Sequence, residues 1–266
     1  VSQHIDRLWH WQTWQNQAYL TCKLLSDWQH GFFTQQFYPR TPENLTSILQ
    51  PQTVAYRVKQ VHGNLVLTPQ EIDLRIRKHN LTNIPDADAV IGDRPQQSVW
   101  VASADCTPVL IGDLVTGQAC AIHAGWRGTA QKIVPKAIAR FVEFGSKKEN
   151  LRIAIGPAIA GEVYQVDESV AVEVGKSIIP NAEHKNEVEI LAELKQLPKT
   201  PILEDPLPGK ARLNVPRVNQ IQLEQLDISP DCMTIAPYCT YQQGDRFFSY
   251  RRTGEKKVQW SGIVSC

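Results

Sequence analysis

Between Val99 and Thr129 the chain reads VWVASADCTPVLIGDLVTGQACAIHAGWRGT, and this stretch constrains the fold more than any other. It is built of three short apolar runs, each ending in a polar or reactive group. Val99 to Ala104 leads into Asp105-Cys106, Val109 to Ile111 into Gly112-Asp113, and Gln118 to Ile122 into the HAGWRGT block that starts at His123. Apolar runs of this length bounded by Gly, Asp and Thr read as buried strands. The reactive side chains therefore fall at strand ends, where a rigid sheet fixes their geometry.

The remaining segments surround such a core. Residues 1–30 hold four of the seven Trp and three of the seven His, and WHWQTW reads as an edge strand or terminal segment laying aromatics over the core. HGFFTQQFYPRTPENLT starts extended and then reads as a surface loop, because turn residues dominate it. TVAYRVKQVHGNLVL (53–67) alternates with period two and turns at Gly63-Asn64, which predicts a hairpin with His62 at its tip. PQEIDLRIRK (69–78) reads as a short charged surface element, and Asp86-Ala-Asp88 as a polar turn feeding a strand to Gly92.

After the central stretch, Ile133, Ala137, Ile138, Phe141 and Val142 follow helical spacing, with Thr129 as N-cap, Gly145 as stop and Pro135 kinking or splitting the first turn. LRIAI (151–155) is a strand. Asp167 caps a helix through Val170, Val174 and Ile178, and Pro216 opens another to about Leu226. Residues 180–210 read as an exposed insertion around a short helix, and the C-terminal part as strands and turns closing the sheet. No repeat or linker divides the chain, so one domain is expected.

Composition excludes some classes of function. With 28 basic and 27 acidic residues the chain has neither a nucleic-acid footprint nor a polybasic membrane anchor. No apolar run approaches the roughly 18 residues that span a bilayer. The polar, Trp-rich start lacks an apolar signal core, and the six scattered cysteines contain no CxxC, so reduced thiols in a cytoplasmic protein are expected. Oligomeric state is not legible.

Cys106 and His123 end neighbouring runs joined through a Thr116-Gly117 turn, and His62 ends another. Three readings follow from these residues alone. They form a thiolate nucleophile with an imidazole base oriented by Asp105 or Asp88, or a Zn²⁺ site of two imidazoles and a thiolate with a fourth position open, or a buried thiol and unrelated histidines. Gly125, Arg127 and Gly128, just before a predicted helix, offer an anion site suited to phosphate, the alternative being a plain Gly-rich turn. Cys120, on the strand face opposite His123, is read as core packing.

QVHG (60–63), DADAVIG (86–92), SADCTPVLI (103–111), AIHAGWRGT (121–129), AIGPAIAGEVYQV (154–166) and CTYQQGDRFFSYRRTG (239–254) occur in this order. Together they resemble the YfiH family, also called the laccase-domain or multicopper polyphenol oxidase family. The resemblance runs from about residue 30 to the end, leaving 1–29 as a segment packed on a 30–266 domain. It implies an α+β fold, a mixed α/β/β/α layered sandwich in a single domain. It also implies one zinc on His62, Cys106 and His123 in a pocket for purine nucleosides. The residues themselves add to this Asp88 and Asp105 as orienters behind the ligands, and Arg127 with Gly125 and Gly128 as the expected phosphate site. Family members phosphorolyse adenosine, inosine and methylthioadenosine to free base and sugar 1-phosphate, and deaminate adenosine. The early block departs from the family's HGFSTRxGG: Gln35 stands where Arg is expected, and Arg40 is the nearest cation that could compensate; Asn214-Val215 replaces a later DL, and Asn219 matches the family's Asn. The older label implies copper, yet seven histidines without an HxH pair supply too few ligands for a multicopper cluster. The rival functions are a metal-free thiol hydrolase, a copper oxidase and a non-catalytic zinc or nucleoside-binding protein.

Overall fold

The computed structural model describes residues 8–78 and 84–266; residues 1–7 of the N-terminal segment, with His4, lie outside it. The elements run β1 (Trp9–Trp14), β2 (Gln17–Cys22), β3 (His30–Phe33), α1 (Pro42–Leu49), β4 (Val54–Tyr56), β5 (Val66–Leu67), α2 (Pro69–Lys78), β6 (Ala89–Ile91) and β7 (Gln97–Ser103). They continue as β8 (Thr107–Asp113), β9 (Ala119–Ala124), α3 (Trp126–Ala130), α4 (Ile133–Glu143), β10 (Leu151–Ile155), β11 (Gln165–Asp167), α5 (Glu168–Gly175) and α6 (Glu187–Gln196). Last come β12 (Ile202–Glu204), β13 (Lys210–Leu213), α7 (Val215–Glu224), β14 (Met233–Ile235), α8 (Tyr250–Thr253) and β15 (Gln259–Val264).

Two six-stranded sheets form the body, ordered β1-β2-β3-β15-β7-β4 and β14-β10-β8-β9-β6-β5. Their facing sides share one core: Trp9, Phe32, Val99 and Val101 of the first sheet pack with Leu110, Ala121 and Ala154 of the second. The outer face of the second sheet is covered by Ile133, Val134, Ile138 and Phe141 of α4 and Leu223 of α7. Leu45 and Leu49 of α1 cover Phe33 and Trp100 on the outer face of the first. This is the expected α/β/β/α sandwich, and it follows from strands that are apolar on both sides and must be covered on both.

The three central runs are strands β7, β8 and β9. β8 and β9 pair antiparallel through a turn in which Gly117 has φ +71°, whereas β7 lies in the opposite sheet beside β15 and β4.

Several local readings change. The 53–67 segment is not a hairpin: β4 pairs with β7 in one sheet and β5 with β6 in the other, so the chain crosses between sheets and carries His62 on the crossover. A period-two pattern marks strands without naming their partners. PENLTSIL is helix α1 rather than loop, started by Pro42 at its first position and by Asn44 accepting from the Thr41 N–H. The helix expected from Thr129 is split, with Lys132 at φ +60° between α3 and α4, and this places Pro135 in the first turn of α4 where its missing N–H costs nothing. Gly145, at φ +90°, ends α4 as expected. Residues 180–210 are more than an exposed insertion. β11, β13 and β12 form a third sheet whose core includes Ile190 and Leu194 of α6 together with Ile202, Ala211 and Leu213.

Candidate metal centre and its cavity

His123 sits on β9 opposite Pro108 of β8, two residues beyond Cys106. Its face of β9 is shared with Ala119 and Ala121, which belong to the core between the sheets. Cys120 and Ile122 face the helices instead, so Cys120 is a packed core thiol. Cys106 follows Asp105, which is held at φ +91° in the turn from β7 to β8. His62, at φ +60°, arrives on the crossover from β4 to β5. One ligand atom from each of these three side chains lies within 4.8 Å of the others, and the two imidazole rings are 4.9 Å apart at 78°. Among the described residues this is the one His/Cys/Asp/Glu cluster with metal-binding spacing.

Asp88 organises the cluster from beneath. It is fully buried, and its Oδ1 accepts from His123 Nδ1 and from the His62 N–H, both at 2.9 Å. Its Oδ2 accepts from the N–H groups of Gly63 at 2.7 Å and Val61 at 3.2 Å. One carboxylate thereby fixes the His123 tautomer, turning Nε2 toward the cluster, and folds the turn that carries His62. Burial alone would raise the Asp88 carboxyl, but His123 and these backbone donors outweigh it and hold it below the usual range. Burial would likewise raise the Cys106 thiol, yet His123 and His62 draw it well below the ordinary thiol range. His123 moves the other way, raised despite burial by Cys106 and Asp88.

Asp105 does not touch an imidazole. Its Oδ1 accepts from the Thr240 hydroxyl and its Oδ2 from the Arg251 N–H, both at 2.7 Å, and its carbonyl accepts from the Ile159 N–H. It anchors the backbone that presents Cys106. Asp86, at the matching alternate position, is exposed and paired with Lys59 at 3.2 Å.

The glycines of HAGWRGT have a packing reason. A Cβ on Gly125 would lie 2.9 Å from Cys106 Sγ and 3.2 Å from His62 Cδ2, and one on Gly128 would lie 2.8 Å from the Gly63 carbonyl. They let α3 press against the cluster and the QVHG turn. Arg127 is exposed, stacks 4.3 Å from the Trp126 ring, and is not among the residues lining the cavity described next. Arg40 is not either: it lies 4.8 Å over Trp14 and bonds Gln17, while Gln35 donates to the Gly244 carbonyl.

The cluster opens into a cavity of about 700 Å³ that His62, Cys106 and His123 share with Gln60, Ser103, Tyr250 and Trp260. Gln60 ties the crossover to the end of β7, donating to the Ala102 carbonyl and accepting from its N–H at 2.8 and 2.7 Å. Sequence reasoning missed these residues. Gln60, Ser103 and Tyr250 stand inside QVHG, SADCTPVLI and CTYQQGDRFFSYRRTG and could have been singled out there, but Trp260 carries no local signal. Two imidazoles and a thiol drawn down in pKa, with the Asp88 carboxylate bonded behind His123, form a donor set that fits zinc and would leave a fourth position open. They suffice for one metal and not for a multicopper cluster.

Residues 42–264 match the family described as multi-copper polyphenol oxidoreductase laccase. A protein of Synechocystis named purine nucleoside phosphorylase is 52% identical over 260 residues, covering 98% of each chain. One of the same name from Bacteroides thetaiotaomicron is 33% identical over 179 residues, covering 66% of this chain and 60% of its own. Among solved structures, YlmD from Geobacillus stearothermophilus superposes with a TM-score of 0.77 at 21% identity over 96% of this chain and 98% of its own. The Bacillus licheniformis protein YfiH gives 0.76 at 22% identity over 96% and 99%. By sequence along most of its length and by the layering of its sheets, the chain belongs to the laccase-domain family of YfiH-like proteins.

Proposed function

We propose that this protein is a zinc-dependent purine nucleoside phosphorylase. It converts adenosine, inosine and methylthioadenosine with phosphate to the free base and ribose or methylthioribose 1-phosphate, and deaminates adenosine as a second activity. The observation that carries this reading is the convergence of His62, Cys106 and His123 on a cavity with aromatic walls, in a chain half identical along its length to a protein named for that activity.

Two imidazoles and a thiolate would hold the metal, with Asp88 keeping His123 protonated on Nδ1 so that Nε2 is free to ligate. Bound zinc supplies Lewis acidity at one open coordination position. Tyr250 and Trp260 offer flat faces on which a purine stacks. In phosphorolysis a phosphate oxygen bonds to the anomeric carbon as the bond from that carbon to the base nitrogen breaks. The base leaves with the electron pair and takes up a proton. Removal of the amino group needs water in place of phosphate and releases ammonia.

Metal analysis of purified protein, together with incubation in adenosine and phosphate, tests the reading. Zinc, base and ribose 1-phosphate are expected, with inosine as a side product, and Cys106→Ala should abolish both activities. If wild-type protein yields none of these products, the catalytic reading fails. Turnover that survives chelation but is lost on thiol alkylation would instead favour the thiol hydrolase.

A further inference from the structure

The open end of the cavity is strongly basic. Arg57 and Lys59 line it from the segment after β4, and Lys256 and Lys257 from the loop before β15. The chain as a whole is balanced, 28 basic residues to 27 acidic, so this concentration is local. A single acid, Glu255, lines the cavity with them and is tied to Lys257 at 3.0 Å. Arg57 and Lys59 pair with Glu43 at 3.3 Å and Asp86 at 3.2 Å, but the side chains of those acids are 55% and 60% exposed and line no part of the cavity. Exposed pairs of this kind contribute little to stability, so they yield to a multiply charged anion. Among the described residues Lys256 has no ion-pair partner. Arg57 is also steadied from the side, its guanidinium 5.8 Å from the Trp260 ring.

We propose that this mouth is a phosphoryl-anion subsite, with Arg57 and Lys256 gripping the phosphate oxygens and Lys59 and Lys257 adding attraction at longer range. The inference rests on the nucleoside reading for what lies deeper in the cavity, and the volume leaves room for both. Two sources present the same tetrahedral anion: free inorganic phosphate, the second substrate of phosphorolysis, or a phosphoryl group carried on the 5′ oxygen of the nucleoside. Neither Arg127 nor Arg40 lines the cavity, so these four cations are the ones placed to receive it.

Calorimetric titration of the zinc-loaded full chain tests the subsite without requiring turnover. Inorganic phosphate, adenosine and adenosine 5′-monophosphate are titrated separately into wild type, the Arg57→Gln/Lys256→Gln double variant, the single Lys256→Glu variant and a Lys147→Gln surface control. Both target side chains reach solvent, and circular dichroism with zinc content verifies that the variants fold. If free phosphate is the ligand, its affinity falls by at least about tenfold in the double variant, since loss of even one of its two charge-assisted contacts has that effect. Adenosine affinity then changes by less than about twofold. If the phosphoryl group rides on the nucleoside, adenosine 5′-monophosphate loses the tenfold instead. The proposal is overturned if wild type binds neither anion, or if the double variant and the control bind both as wild type does. Turnover of adenosine is recorded separately, so anion binding without products would remove the phosphorylase reading and leave the subsite standing.

Discussion

Asp88 offers two carboxylate oxygens to four donors, and two of those donors belong to proposed metal ligands. Asp88→Asn keeps the shape but turns an amide N–H₂ toward backbone N–H groups. It should lower zinc affinity by roughly 10–100-fold, read by competition with a chromogenic chelator. Unchanged affinity would show that the turn holds His62 without help. His30 gives a second expectation, away from the site. It is buried, donating from Nδ1 to the Trp28 carbonyl and accepting at Nε2 from the Cys22 N–H, a pattern only the neutral ring satisfies. Burial lowers its pKa to about 4 from the ordinary 6.5. Below pH 6.5 the unfolded chain takes up a proton that the native state refuses, so stability falls with pH until about 4. Over that window the loss is about 3 kcal/mol. Urea unfolding at pH 7 and pH 4 should show this difference shrinking by that amount in His30→Gln; equal pH dependence in both proteins would refute it.

Among the elements, α3 is the one whose seat decides the centre. Its N-cap, Gly125, is in contact distance of Cys106 and His62, and the β-carbon of alanine would enter at 2.9 Å from sulfur. Gly125→Ala should therefore fold but bind zinc weakly, with metal content and melting temperature measured on the same sample. Normal zinc content would mean that the helix shifts without cost. The glycine pattern of HAGWRGT is visible in the sequence, where it reads equally as close approach to a ligand or as close packing. Distances to Cys106 and Gly63 show packing. Helix α1 was hidden for a related reason: Pro42, Asn44, Thr46 and Ser47 serve turns as readily as a helix start, and the Thr41–Pro42 start together with burial of Leu45 and Leu49 against the outer sheet face makes the helix the better state.

At the scale of the molecule, the centre bridges the two sheets. His62 lies on the crossover from the first to the second, Cys106 on the turn from β7 to β8, and His123 on β9. A metal held by all three would staple layers otherwise joined mainly by apolar packing and by bonds such as that from Trp9 Nε1 to the Thr234 hydroxyl at 3.3 Å. Chelation should then lower the wild-type melting temperature by several degrees, since ligand at a thousandfold over Kd adds about 4 kcal/mol. Cys106→Ser should be nearly insensitive to chelator; equal sensitivity would place the stabilising metal elsewhere. The layer between the sheets sets the baseline. Leu110→Ala, at a fully buried position there, should cost about 3 kcal/mol and roughly 10 °C in Tm by calorimetry, and a loss under about 1 kcal/mol would mean that the core collapses into the vacated space.

By itself the sequence determined the apolar strands, the stops and turns between them, and the reactive groups at their ends, because hydrophobic period and turn chemistry act over a few residues. Cys106 and His123 were legible as neighbours since one short turn joins their strands. Only the tertiary structure decided that β7 and β8 lie in opposite sheets, that QVHG is a crossover, that Asp88 rather than Asp105 orients the imidazole, and that Lys256 faces the cavity while Arg127 does not. Those outcomes depend on which faces bury together across long separations and on backbone angles such as φ +91° at Asp105, which contacts far along the chain, at Thr240 and Arg251, hold in place.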